Sequence, residues 1–158
     1  MNSYKLDNKI RNNRNSNKNN KKIIKNSTNS IKKHDLERIY KEFYDWLSGI
    51  QEDEPMPLEV NNVYFIVEFF QNDVAISYTG DENSLSIFDY GFYSPLEGQY
   101  FDCAILKQIS NDVFVKKSIS QNEVYGFIKN MVFSVAPKLW FIKDKQIFCG
   151  IRHNKNSV

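Results

Sequence analysis

The sequence predicts an α+β domain behind a disordered tail: an N-terminal helix, a five-stranded antiparallel meander, a second helix and a C-terminal β-hairpin. Three observations carry that prediction. Apolar residues recur at helical spacing over 36–50 and again over 124–135. Between them run β-branched and aromatic residues, interrupted by Asn-Asp pairs and glycine-containing turns. The first 33 residues hold almost nothing that a core would bury.

Residues 1–33 carry ten Lys/Arg against one acid, Asp7, a net of +9, together with ten Asn. The remaining eleven basic and eighteen acidic residues give the body a net of −7. Low hydrophobicity with high charge does not offset the entropy of ordering a chain. Residues 1–33 are therefore expected to be a disordered basic Asn/Lys-rich tail, residues 34–152 a single domain, and residues 153–158 a frayed end. The helix that follows has the stripe Leu36, Ile39, Tyr40, Phe43, Trp46, Leu47 and Ile50, with Asp35 near its start and Gly49 marking its end. Acids with Pro55 and Pro57 then make a loop over 51–59.

Val63–Gln71 is the strongest strand signal, and Val74–Thr79 is its hairpin partner across a turn at Asn72-Asp73. In that register Phe69 faces Ile76 and Val67 faces Tyr78. One face is then Val63, Phe65, Val67, Phe69, Val74, Ile76 and Tyr78; the other holds Tyr64, Ile66, Glu68, Phe70, Ala75, Ser77 and Thr79. Gly80–Asn83 turns into a third strand, Leu85–Tyr93, and a fourth, Gln99–Ile109, follows the Ser94–Gly98 turn. Asn111-Asp112 returns the chain through a fifth strand, Val113–Lys117. Ser120 and Glu123 have capping-box spacing and open a helix with the stripe Val124, Phe127, Ile128, Met131, Val132 and Val135, stopped before Pro137. Leu139–Ile142 and Gln146–Ile151 read as the final hairpin.

Two cysteines, Cys103 and Cys149, are too few for a secreted disulfide framework and read as reduced core thiols. With no apolar leader and no membrane-length apolar run, a cytoplasmic location is expected, with no transmembrane segment. The six glycines are scattered, so no phosphate loop or nucleophile elbow is present. His34, His153 and the two cysteines do not make a metal-ligand pattern. No cofactor, no metal and no catalytic residue are expected.

The remaining chemistry-bearing residues interrupt the strands. Glu68, Asp89 and Asp102 are acids in otherwise apolar runs; on one sheet face they would suit acid/base work or ligand binding, but a solvated face of an antiparallel sheet explains them more simply. Phe88, Tyr90, Phe92, Tyr93, Tyr100 and Phe101 crowd the third and fourth strands around one turn. No Lys or Arg lies between Gly80 and Leu106, so this cluster suits a protein better than a phosphate backbone. The expected function is a non-enzymatic protein-interaction domain, whose acidic, aromatic surface (Glu68, Asp89, Tyr90, Phe92, Tyr93, Tyr100, Asp102) takes a basic or amphipathic partner. The alternatives are weak, non-specific nucleic-acid association through the tail, and a small enzyme or ligand binder using the sheet-face carboxylates.

Overall fold

Apolar spacing of three and four residues builds helix α1 (Lys33–Asp53), which buries Ile39, Phe43, Leu47 and Ile50 on one stripe. A computed structural model describes residues 3–7, 33–70, 73–81, 93–95, 100–114, 116 and 120–153 of the chain. The helix runs past Gly49, where an added Cβ would meet nothing within 4 Å. Glycine lowers helix propensity without forbidding a helix, and Ile50 behind it is buried. On the outer side, ion pairs Arg38–Glu42 and Lys41–Asp45 join successive turns.

Strand β1 (Ser3–Asp7), β2 (Asn62–Phe70), β3 (Asp73–Asp81) and β4 (Gln146–His153) form one mixed sheet in the order β1-β4-β2-β3. Among the described residues, only the first hairpin of the expected five-stranded antiparallel meander is formed. Strands β2 and β3 pair antiparallel, with Phe69 opposite Val74, Val67 opposite Ile76 and Phe65 opposite Tyr78. Compared with the expected pairing, the register is displaced by two residues, and Asp73 already belongs to β3 rather than to the turn. Side chains alternate with period two, so this displacement leaves every residue on its expected face. Val63, Phe65, Val67, Val74 and Ile76 are fully buried against the helices.

Beyond β3 the meander fails. Strand β3 continues through Gly80 and Asp81, where a turn is expected. Of the predicted third strand, Tyr93 is described, and it makes an isolated antiparallel bridge to Gly80; residues 82–92 lie outside the described residues. The predicted fourth strand is extended only near Phe101, which bridges Ile76. Thereafter Ala104–Phe114 is helix α2, which also takes in the start of the predicted fifth strand. Leu106 and Ile109, three residues apart, are buried while Lys107 and Gln108 are exposed, which is a helical pattern. Short apolar runs do not distinguish strand from helix on their own, and Asn111-Asp112 is accommodated in the last turn.

Helix α3 (Gln121–Val135) keeps its predicted bounds and buries all six residues of its stripe. Its capping box is formed: the Glu123 amide donates to Ser120 Oγ at 3.2 Å, and the Ser120 amide to Glu123 Oε2 at 3.0 Å. A 3-10 turn, Ala136–Lys138, follows with Pro137 inside it. The C-terminal hairpin is absent. Leu139–Ile142 is a turn closed by Ile142 N–H and Lys143 N–H donating to the Leu139 carbonyl. Strand β4 instead lies parallel to β2, with Phe65 beside Cys149 and Glu68 beside Arg152. Its residues Ile147, Cys149 and Ile151 join the core while Phe148 stacks on Tyr64 at 5.0 Å on the other face. A strand apolar on both faces belongs inside a sheet.

The chain start also departs from expectation. Ser3–Asp7, within the stretch expected to be disordered, pairs antiparallel with β4 from Ser3–His153 to Asp7–Cys149. His153, expected to fray, is thus the last residue of a strand. Main-chain pairing to an open strand edge requires no apolar composition, which is the signal that composition carries. Residues 8–32 and 154–158 lie outside the described residues.

Candidate functional site

The β2–β3 hairpin ends where Phe70 of β2 faces Asp73 of β3. The bridge between Ile76 and Phe101 lays the segment before α2 along the outer edge of β3. Phe101 shares the core side with Ile76, so by alternation Tyr100 and Asp102 lie on the other face, with Asp73, Ala75 and Ser77. Two segments thus bring four residues to one edge of this face: Phe70 opposite Asp73 at the hairpin end, and along it Asp102, near Asp73, with Tyr100 two residues farther on.

Electrostatics at this corner are unfavourable. Partial burial, and then the neighbouring Asp102 carboxylate, push the Asp73 carboxyl above its ordinary range. Opposing effects are the Val74 amide, which donates to Asp73 Oδ1 at 2.8 Å, and Lys107. Lys107 Nζ lies 3.1 Å from Asp102 Oδ2 on the first turns of α2. One lysine therefore serves two carboxylates. Beside them Phe70 is 40 % exposed and Tyr100 41 % exposed.

Glu68 lies on this same face yet differs from the solvated acid expected there. Asn62, Tyr64, Ile66 and Glu68 are all buried, so β2 is covered on both sides. The Glu68 carboxylate is paired with Arg152 of the adjacent parallel strand, and the two side chains are 5 % and 22 % exposed. An acid neutralised this way is a structural ion pair and is poorly placed to take a proton from a substrate. Across the sheet the row runs Arg152, Glu68, Ala75, so Ala75 separates Glu68 from the edge segment carrying Asp102.

Tyr93 is buried. Its hydroxyl donates to the Glu54 carbonyl at 2.7 Å and lies 3.2 Å from the Tyr78 hydroxyl, so it ties the edge of the sheet to the end of α1. Burial raises the pKa of both phenols. Asp89, Tyr90 and Phe92 lie outside the described residues. Of the predicted surface, Tyr100 and Asp102 come together in the open. Phe70 and Asp73 join them without a sequence signal: Asn72-Asp73 has turn composition, but Asp73 pairs with Phe70 at that end of the sheet.

Burial raises the Cys103 thiol pKa, although the Ile105 and Leu106 amides at the start of α2 oppose this, and Cys103 is a core residue. Among the described residues, no group of three or more His, Cys, Asp or Glu is gathered to hold a metal, and no helix is long and apolar enough to cross a membrane. A groove of about 240 Å³ runs between the first turn of α1 and α2, lined by Asp35, Arg38, Gln108 and Asp112 among others. Its charges have partners within the chain, Arg38 with Glu42 and Asp112 with Lys116. Comparisons with protein-family models, with curated proteins and with solved structures find no match.

Proposed function

We propose that this chain is a non-enzymatic protein-interaction domain, and that the corner formed by Phe70, Asp73, Tyr100 and Asp102 receives a basic, amphipathic segment of a partner. The observation that carries the reading is the proximity of Asp73 and Asp102, with exposed Phe70 paired to Asp73 and exposed Tyr100 two residues from Asp102 on the same face. Like charges held together weaken the isolated fold, and sequences keep such local conflicts where a site needs them. A partner's lysine or arginine entering between the carboxylates relieves the repulsion, while Phe70 and Tyr100 supply apolar area and ring faces for its aliphatic stem. The buried, ion-paired Glu68 supports a structural role for that residue and argues against the acid/base alternative.

The test is affinity capture with the immobilised full chain at low and high salt, beside a Phe70→Ser/Tyr100→Ser form. Both positions are solvent-exposed, and circular dichroism checks that the substituted form keeps its fold. A partner held at low salt, released at high salt and lost with the substituted form is the expected result. Recovery of the same proteins by the substituted form, or of none by the parent chain, overturns the proposal.

A further inference from the structure

At the other end of the sheet, about 25–30 Å away by strand rise, two loops present large apolar side chains to solvent. Leu58 is 90 % exposed and Trp140 is 69 % exposed. Leu58 follows α1 on the loop leading into β2; Trp140 sits in the turn leading into β4. Because β2 and β4 are parallel neighbours, these loops enter the sheet side by side. They are also tied together: the Gln146 amide donates to the Asn61 carbonyl at 2.9 Å, and Lys145 Nζ donates to the Val60 carbonyl.

Neither loop is loosely attached. Met56 and Val60 are buried on either side of Leu58, and Leu139, Phe141 and Ile142 are buried around Trp140. An exposed tryptophan whose neighbours are anchored in the core is presented in a restricted geometry, so little entropy is lost when it is covered. The same end has two lobes of opposite charge. Exposed Glu59 adjoins Leu58 and exposed Glu52 lies on the last turn of α1 that leads into this loop, while exposed Lys138 and Lys143 flank Trp140, with Asp144 as the one acid in that turn. None of those four flanking charges is in an ion pair among the described residues.

A surface with an acidic lobe beside a basic lobe and apolar groups on both is complementary to itself under a two-fold rotation. Each copy's basic turn then meets the other's acidic loop, and Leu58 and Trp140 of both copies lie in between. We infer that this end of the sheet is a self-association surface and that its occupant is a second copy of the chain. The inference is independent of the proposed partner site, which it leaves open at the opposite end.

Sedimentation of the full chain over about two decades of concentration tests it. A reversible monomer–dimer equilibrium is expected, accompanied by a blue shift of the Trp140 emission. Trp140→Ser is expected to weaken the dimer by about tenfold or more. Charge reversal gives the decisive arm. The form Lys138→Glu/Lys143→Glu and the form Glu52→Lys/Glu59→Lys are each expected to remain monomeric, and an equimolar mixture to form a heterodimer. A chain that stays monomeric throughout, a dimer indifferent to Trp140→Ser, reversed forms that each dimerise alone, or a mixture that does not associate would each overturn the inference.

Discussion

Replacing Arg152 by leucine and replacing Glu68 by leucine should have unequal costs, although each removes one half of the same ion pair. With Arg152→Leu, the stranded group is a carboxylate only 5 % exposed on the central strand. Leaving a buried charge unpaired costs about 3–5 kcal/mol. With Glu68→Leu, the group left behind is a guanidinium 22 % exposed on a long flexible stem, with a further interaction of its own. It can turn toward water, so the cost falls to about 1–2 kcal/mol. The double substitution removes both charges and puts two apolar side chains side by side on adjacent strands. Its stability should lie within about 1 kcal/mol of the parent, or above it. The cycle is thus strongly non-additive, with the double variant better than the sum of the singles by at least about 3 kcal/mol. Urea unfolding followed by fluorescence is a suitable assay, because Trp46 packs against Phe43, Tyr78 and Phe101 in the core. Equal costs for the two single substitutions, or additive costs in the double, would refute the reasoning.

Two further perturbations probe the edge of the sheet and the candidate site. A Cβ added at Gly80 would lie 2.6 Å from Val60 Cγ1, and Val60 is fully buried, so Gly80→Ala should cost about 1–3 kcal/mol by overpacking, measurable as a lowered urea midpoint. Asp73 has a raised carboxyl pKa in the folded chain, so the stability tied to it is present below its unfolded value, near about 3.9, and is lost as pH rises through the folded value. Asp73→Asn should therefore raise the urea midpoint at neutral pH and make no difference near about pH 3; a lowered midpoint at neutral pH would show that Asp102 does not oppose Asp73.

Much of the architecture was legible because its signals are local. The stripes of α1 and α3 repeat within a few turns, and Ser120 and Glu123 meet across a single turn. The face assignment of the β2–β3 hairpin survived a register displaced by two residues, because a strand's side-chain alternation has the same period. Ala104–Phe114 is not legible as a helix because a short apolar run satisfies strand and helix patterns alike; only the shared buried side of Leu106 and Ile109 separates them. Of the candidate site, Tyr100 and Asp102 were recognisable as exposed-type residues beside a turn. Their neighbours Phe70 and Asp73 were not.

What the sequence determined alone was therefore the kind of local element at each strongly periodic stretch, together with the acidic balance of the body. Tertiary structure decided where β4 goes, and most of the rest followed. Inserted parallel beside β2, it makes β2 an interior strand, brings Arg152 to Glu68, and joins the loops bearing Leu58 and Trp140. The physical reason is that backbone hydrogen bonds and charge neutralisation between residues far apart in the chain leave no periodic trace in either segment; they exist only once both segments share an edge.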